Sequence, residues 1–139
     1  MEIQTSNFGT QTINKSDILD FPNGLLGFEE YTQFKLFHEE SSNPTVHWLQ
    51  SVTDDQVSMS VVSPAEFGLE YEITLTDEDE VLLKLDDLND AQVILIVYKP
   101  DQKENTDFKA IIRAPLVINA KNNIGLQKQL EQVAINEAA

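Results

Sequence analysis

Val93-Ile94-Leu95-Ile96-Val97-Tyr98 is the longest apolar run in the chain, and it is rich in β-branched residues. Such residues favour extended backbone, and an unbroken apolar run of this length is typical of a strand covered on both faces. A membrane-spanning helix needs about 20 apolar residues, so the run is too short for one. It therefore predicts a buried strand in a soluble protein.

Two other segments show the alternation expected of strands with one solvated face. These are Val57-Ser58-Met59-Ser60-Val61 and Tyr71-Glu72-Ile73-Thr74-Leu75-Thr76. Turn signals such as Asn23-Gly24 recur at short intervals between such segments. Many short strands separated by turns predict a β-sandwich or a β-barrel. At 139 residues, the chain is expected to form one domain.

Residues 111–118 are also strongly apolar, but Pro115 interrupts them. Proline has no N–H to donate to a strand ladder. The segment is therefore expected to be an edge strand, or two strands separated by a bulge.

One short helix is predicted after Thr76, where Thr76 or Asp77 acts as the cap. The carboxylates of residues 77–80 stabilise the first turn, and about two or three turns are expected before Asp86-Asp87. Near the carboxyl end, residues 127–135 contain good helix formers, whereas Ile124-Gly125-Leu126 suits a strand, so both interpretations stay open. The last residues are expected to be disordered.

The chain is strongly acidic. It has 9 Lys and Arg against 24 Asp and Glu, a formal net charge of −15. Direct nucleic-acid binding is disfavoured, because it draws most of its affinity from cations that neutralise phosphates. The charge serves solubility, or it attracts a basic partner. The absence of cysteine and of a secretion signal at the amino terminus predicts a protein that stays in the cytoplasm.

No motif indicates catalysis. His38 and His47 have no serine or cysteine in a recognised nucleophile motif near them, and two histidines do not complete a zinc site. The run Asp77-Glu78-Asp79-Glu80 lacks the glycine and the donor spacing of a calcium loop. Glycine-rich phosphate loops are absent as well. The sequence therefore predicts no catalytic residue, no cofactor and no metal site.

Three stretches have unusual composition. Residues 21–29, FPNGLLGFE, place apolar side chains in a turn-rich segment, which favours a loop that plugs a barrel end over a purely functional loop. Trp48 is the only tryptophan and is expected in or beside the core. Arg113 stands in an apolar stretch and needs a carboxylate partner or a route to water; an internal ion pair is the favoured explanation.

These stretches resemble the FliW family of flagellar assembly factors. FPNGLLGFE at 21–29 resembles the family pattern FP-x-GLPGFE, and WLQSV at 48–52 is similar to its WLQS segment. RAPLVIN at 113–119 resembles RAPIVIN, and Gly125 and Gln127 follow where the family has G-x-Q. Leu26 replaces a family proline, and Asp54-Asp55 replaces an Asp-Pro turn.

The resemblance implies a mainly β fold: a single-domain antiparallel β-barrel-like domain over residues 1–130, with one or two short helices and a disordered tail at 131–139. It implies no enzymatic activity and no cofactor. It also implies two mutually exclusive partners in the cytoplasm. One is flagellin, and the other is CsrA, a basic translational regulator that binds flagellin messenger RNA.

We expect partner contact between Phe67 and Asp79, where carboxylates accompany an apolar anchor as in the centre and rim of an interface. The candidate residues are Phe67, Glu70, Glu72, Asp77 and Asp79. An ordinary solvated strand face is the alternative reading of the same residues.

Two other function classes remain open. A small acidic β-barrel that binds a sugar or another small ligand would use Trp48 or Tyr98 as a stacking platform in a concave aromatic pocket. A carboxylate-based hydrolase would need two carboxylates facing each other across a cleft.

Overall fold

The structure is a computed structural model that describes residues 1–6, 8–38, 47–64, 69–98, 109–129 and 134–137. Within these residues it contains one short α-helix, two 3₁₀ turns (Lys15–Asp17 and Leu88–Asp90) and eleven strands. The strands and the helix are β1 Glu2–Thr5, β2 Gly9–Thr12, β3 Leu19–Asp20, β4 Gln33–His38, β5 His47–Ser51, β6 Ser58–Val62, β7 Leu69–Glu72, α1 Asp77–Leu82, β8 Ala91–Tyr98, β9 Lys109–Asn119, β10 Ile124–Gln127 and β11 Ala134–Glu137.

Seven strands form a closed barrel in the order β10-β3-β4-β5-β6-β8-β9. Neighbours in the barrel are antiparallel except β10 and β3, which join through one parallel bridge between Ile124 and Asp20. β1 with β2, and β7 with β11, form two separate two-stranded sheets. The prediction of a mainly β, barrel-like fold is confirmed, and closure removes the exposed strand edges that an open sheet would have.

β8 confirms the buried strand predicted from the apolar run. Leu95 and Val97 are buried on one face, and Ile94 and Ile96 pack against the barrel core on the other. Tyr98 ends the strand with its side chain exposed. Residues 93–97 of the strand are apolar because both of its faces meet other side chains there.

The expectation of an edge strand at Pro115 is wrong. β9 is one continuous strand that pairs with β8 on one side and with β10 on the other. The register between β8 and β9 shifts where Ile94 pairs with Leu116 but Ile96 pairs with Ile111. Pro115 therefore lies in a bulge, as the alternative expectation had it, but the bulge interrupts one continuous strand and does not separate two. A bulge spares the proline a ladder hydrogen bond.

Two apolar clusters lie on opposite faces of β9. The barrel core contains Phe21, Phe34, Leu49 and Leu116, among others. Val117, the next residue of β9, belongs to a second cluster with Leu83, Ile124 and Leu126, as expected when successive side chains of a strand alternate between faces. Leu83 directly follows α1, so the end of the helix is held against the outer face of the barrel.

The strand predicted at residues 71–76 is correct only in part, because β7 ends at Glu72. Ile73 and Leu75 nevertheless turn inward and pack against the second cluster, while Thr74 and Thr76 are exposed. The alternation therefore predicted correctly which of these side chains face the core. The hydrogen-bonded strand, however, does not extend to residues 73–76.

α1 begins as predicted but is shorter than predicted. Thr76 caps it: the Thr76 hydroxyl accepts from the Asp79 N–H at 3.1 Å, and the Asp79 carboxylate accepts from the Thr76 N–H at 2.9 Å. The helix spans only six residues, because Lys84 adopts a left-handed conformation with φ of 54°. The chain therefore leaves the helix at Lys84, two residues before Asp86.

Near the carboxyl end, the strand interpretation of residues 124–126 is confirmed by β10. Ala134–Glu137, part of the predicted tail, form β11 and pair antiparallel with β7. The remaining tail residues lie outside the described residues, and the domain boundary at residue 130 stays a prediction. Nowhere in the described ranges does a helix have the length and apolar character needed to cross a membrane.

Candidate protein interfaces

The predicted contact residues are spread over β7 and the start of α1. Phe67 lies outside the described residues. Glu70 and Glu72 lie in β7, where they pair with Asn136 and Ala134 of β11. Asp77 is the first residue of α1 and is exposed.

Asp79 is already engaged within the chain. Besides capping Thr76, its carboxylate accepts a hydrogen bond from the Lys128 ammonium at 2.6 Å, and the two side chains are only 20% and 16% exposed. Burial raises the pKa of Asp79, but the hydrogen bonds from Lys128 and Thr76 and the charge of Lys128 outweigh it and hold that pKa below its usual value. Asp79 therefore positions the helix. The sequence predicted that it stabilises the first turn, but not that it pairs with Lys128.

The helix and the following turn present an acidic surface to solvent. We define the acidic surface by the residues that line a wide, shallow depression of about 440 Å³: Asp77, Glu80, Val81, Lys84, Leu85 and Asp86. Val81, at 77% exposure, is the most exposed large apolar side chain of the described chain. Asp86 lies 3.9 Å from Lys121, and both side chains are mostly exposed, so this ion pair neutralises little of the surface.

Asn119 fixes the position of this surface on the barrel. Its side-chain amide is buried and donates to the Leu83 carbonyl at 2.8 Å, and the Asn122 amide donates to the Lys84 carbonyl at 3.0 Å. These bonds satisfy carbonyls at the helix end that would otherwise lack partners. The final asparagine of the RAPLVIN block thus has a structural role.

The loop at residues 21–29 is divided between core and surface. Phe21 and Leu25 lie in the barrel core, as predicted for a plug, and Phe21 meets Phe34 edge-on at 5.6 Å. Gly24 has a φ of 67°, and a Cβ there would lie 2.5 Å from the backbone of Glu29, so the turn requires glycine. The plug reading does not hold for Leu26 and Phe28, which are 46% and 41% exposed.

Leu26 and Phe28 border an apolar groove at the end of the barrel, with a volume of about 280 Å³. We define the apolar groove by six of its lining residues: Leu26, Phe28, Met59, Ile96, Ile111 and Ala114. Sequence reasoning did not identify this surface. The only hint in the sequence was the turn-rich segment at residues 21–29. It contains several apolar side chains without a strand period, and not all of them enter the core.

Gln127 holds the loop against β9. Its side-chain oxygen accepts from the Leu26 N–H at 2.7 Å, and its amide donates to the Ala114 carbonyl at 3.1 Å. Two walls of the apolar groove are thereby joined by one side chain.

Carboxylates lie beside Phe28. The Phe28 and Tyr31 rings are 6.3 Å apart, and the Tyr31 hydroxyl donates to the Asp54 carboxylate at 2.8 Å. The hydrogen bond from the Gln56 N–H, with that from Tyr31, lowers the pKa of Asp54, so this carboxylate is ionised. The hydrogen bond to Asp54, burial, and the charges of Asp54 and Glu30 raise the pKa of Tyr31.

The remaining candidates lie elsewhere. Trp48 is half-buried beside Phe8, with ring centroids 6.4 Å apart, which confirms its position at the core edge. Neither Trp48 nor Tyr98 lines the apolar groove. Arg113 is exposed on β9, and the internal ion pair expected for it stays a prediction. Within the described ranges, no cluster of three or more His, Asp or Glu side chains is arranged to hold a metal ion.

Comparison with known proteins places the whole chain in one family. The family model for FliW protein matches residues 2–137. A flagellar assembly factor FliW of Azoarcus sp. is 38% identical over 136 residues, covering 96% of this chain and 93% of the relative. One from Alkaliphilus metalliredigens is 37% identical over 132 residues, covering 94% and 80%.

A crystal structure of the flagellar assembly factor FliW superimposes with a TM-score of 0.84 at 28% identity, covering 100% of this chain and 95% of the solved one. Sequence and fold thus agree over the same residues. This chain belongs to the FliW family.

Proposed function

We propose that this protein is a non-enzymatic flagellar assembly factor of the cytoplasm. In this proposal it binds flagellin and, when free of flagellin, binds and antagonises CsrA, which relieves repression of flagellin messenger RNA. The observation that supports the proposal most is the match to the FliW family over residues 2–137. The match is continuous, so those residues contain no segment for a second domain.

The charge of the chain supports an electrostatic mechanism for the second step. A protein of net charge −15 is attracted to a basic RNA-binding regulator and, once bound, repels RNA phosphates from the neighbouring surface. Salt screens such repulsion over about 8–10 Å at physiological ionic strength, so displacement of RNA weakens as salt rises. RNA displacement that is insensitive to salt, with both proteins folded, would contradict this mechanism.

For the contact with CsrA we propose the acidic surface together with the adjoining strand β7. Of the residues predicted from sequence, Glu70, Glu72 and Asp77 remain the candidates for direct contact, and Phe67 remains a proposed apolar anchor. Asp79 has a different role, because its carboxylate is held by Lys128 and Thr76. It orients the helix that carries Asp77.

Calorimetric titration with CsrA and with flagellin from the same source, at two salt concentrations, tests the proposal. We expect micromolar or tighter binding to each, with one partner blocking the other. Binding to neither by a folded sample would contradict the proposed function and would make the small-ligand barrel the leading hypothesis.

Charge reversal tests the proposed surface separately. Glu70→Lys with Glu72→Lys should weaken CsrA binding, whereas Glu2→Lys with Asp17→Lys makes the same change in net charge at exposed positions away from β7 and α1. Equal binding by both double variants would show that only overall charge matters. Unchanged binding to both partners by the first variant would exclude β7 from the interface.

A further inference from the structure

The apolar groove concentrates exposed apolar surface on an otherwise acidic protein. Six large apolar side chains are strongly exposed in the described residues, and three of them, Leu26, Phe28 and Ile111, line this groove. Met59 and Ile96 continue the apolar lining inward, because both pack against the barrel core. A contiguous apolar patch of this kind, unlike scattered exposed residues, is typical of a binding surface.

The strands around the apolar groove are neighbours in the barrel, apart from the bulge of β9 that contains Ala114. β6 pairs with β5 and β8, β8 pairs with β6 and β9, and β9 pairs with β8 and β10. Regular pairing thus occupies much of this backbone, and what the apolar groove presents to a partner is mainly apolar side chains. A helix that lays an apolar stripe into a groove is a recurrent way in which proteins bind such a surface.

The charge beside the apolar groove specifies the polar flank of such a helix. Glu29, Glu30 and Asp54 lie on the loop side, near Phe28 and Tyr31, and Asp54 is held ionised. Lys or Arg residues along one flank of the docked helix would meet these carboxylates.

The walls of the apolar groove are held in place before any partner binds. Phe21 and Leu25 anchor the loop in the core, and Gln127 bonds to Leu26 and Ala114. Little ordering is required on association, which favours affinity from a small contact area.

We propose that the apolar groove is a docking site for an amphipathic helix of a protein partner, with an apolar stripe and a basic flank on the loop side. This inference goes beyond the proposed function, because that function assigns partner contact only to β7 and the acidic surface. It adds a second, chemically different surface to the protein.

A synthetic peptide pair tests the inference with the full chain. The probe is a fluorescently labelled Leu/Lys peptide of about 18 residues, or five helical turns, with leucines repeating at helical spacing so that they form one face. The control peptide has the same composition and charge in a scrambled order. Fluorescence anisotropy should show binding of the amphipathic peptide at least about tenfold tighter than binding of the control.

Protein variants locate the binding. Leu26→Ser with Phe28→Ser should weaken binding of the amphipathic peptide at least about tenfold, and Ile111→Thr in the opposite wall should weaken it at least about threefold. Val81→Ser changes an even more exposed apolar side chain, on the acidic surface, so it is the control and should bind like the native protein.

Retained affinity in either groove variant, or equal binding of the scrambled peptide, would overturn the inference. Ile111→Thr keeps the test decisive if the double variant disturbs the loop. These outcomes do not depend on the titrations with CsrA and flagellin. A negative result for helix docking in the groove can therefore be distinguished from a negative result for the proposed function.

Discussion

One wall of the apolar groove is formed by the loop at residues 21–29, and the acidic surface by α1 and the following turn. Both segments lie outside the sheet, but the main contacts that hold them differ in chemistry. The loop at residues 21–29 is anchored by apolar burial of Phe21 and Leu25. The helix α1 is anchored largely by polar contacts, from Thr76 and Lys128 to Asp79 and from Asn119 to the Leu83 carbonyl. The exposed side chains of the two segments also differ: those of the loop are apolar, and those of α1 are mostly carboxylates.

The difference shows that net charge describes a surface poorly. A value of −15 averages over a region with three exposed apolar side chains and a region rich in carboxylates. Each region suits a different class of partner, since apolar contact supplies affinity and complementary charge supplies steering and specificity.

Two consecutive residues connect these regions. Gln127 bonds to the loop at Leu26, and Lys128 pairs with Asp79 at the start of α1. The Lys128 N–H also donates to the Pro115 carbonyl at 2.9 Å, which fixes this point on the barrel. The end of β10 therefore positions both surfaces, and the following predictions test how separately they behave.

The largest effect is expected inside the loop. Phe21→Ala removes a fully buried ring from the core and should lower the free energy of unfolding by about 3–5 kcal/mol. Phe28→Ala, in the same loop but 41% exposed, should cost less than about 1 kcal/mol. Urea unfolding of both variants measures the difference. Equal destabilisation would show that the loop does not divide into a core part and a surface part.

Charge reversal on the helix should produce the next largest effect, this time on binding. Asp77→Lys with Glu78→Lys should weaken CsrA binding about tenfold or more at low salt, with a smaller loss at high salt. Binding of the amphipathic peptide should change far less. A similar loss for both ligands would mean that the two surfaces are not independent.

Lys128→Met should have a moderate effect on stability. The pair with Asp79 is mostly buried, so its loss should cost about 1–2 kcal/mol at neutral pH, between the values for exposed and buried pairs. Urea unfolding across pH supplies the measurement.

The pH dependence of this pair follows from the lowered pKa of Asp79. Its carboxylate stabilises the folded state above the ordinary value of 3.8, and this contribution is lost as pH falls through the lower folded pKa. The difference between the native protein and Lys128→Met should therefore shrink below about pH 4. A constant difference down to pH 2 would show that lost packing of the lysine stem, and not the ion pair, causes the destabilisation.

The smallest effect is expected for Val81→Ser. Val81 is 77% exposed, so the free energy of unfolding should change by less than about 0.5 kcal/mol. Unfolding and CsrA titration together test this. Unchanged stability with weakened CsrA binding would reveal an apolar contact within the acidic surface and would narrow its contrast with the apolar groove.

Much of the fold followed from local patterns. The apolar run at residues 93–98 predicted β8, the alternation at 57–61 predicted β6, and Thr76 with the carboxylates after it predicted the start of α1. These predictions succeeded because strand alternation and helix capping depend on residues close in sequence. The edge strand at Pro115 was wrong because a bulge, formed against β8, accommodates the proline within the barrel.

The candidate sites were less predictable. Asp77 was placed correctly on an exposed helix start, but Asp79 meets Lys128, which lies 49 residues away in sequence. The apolar groove joins the loop at Leu26 and Phe28 to β6, β8 and β9. A local sequence pattern does not predict that these segments lie together, because their contact depends on how strands that are distant in sequence pair.

By itself, the sequence determined the acidic character, the mainly β composition, the capped helix start and, through its three motif blocks, the family. Those properties depend on composition and on short-range backbone preference. Only the tertiary structure decided which apolar residues remain outside the core, which carboxylate is occupied by an internal lysine, and how Gln127 and Lys128 position two surfaces. The physical reason is that burial and pairing depend on contacts between residues that are far apart in sequence. Those residues meet only when the strands pair and the barrel closes.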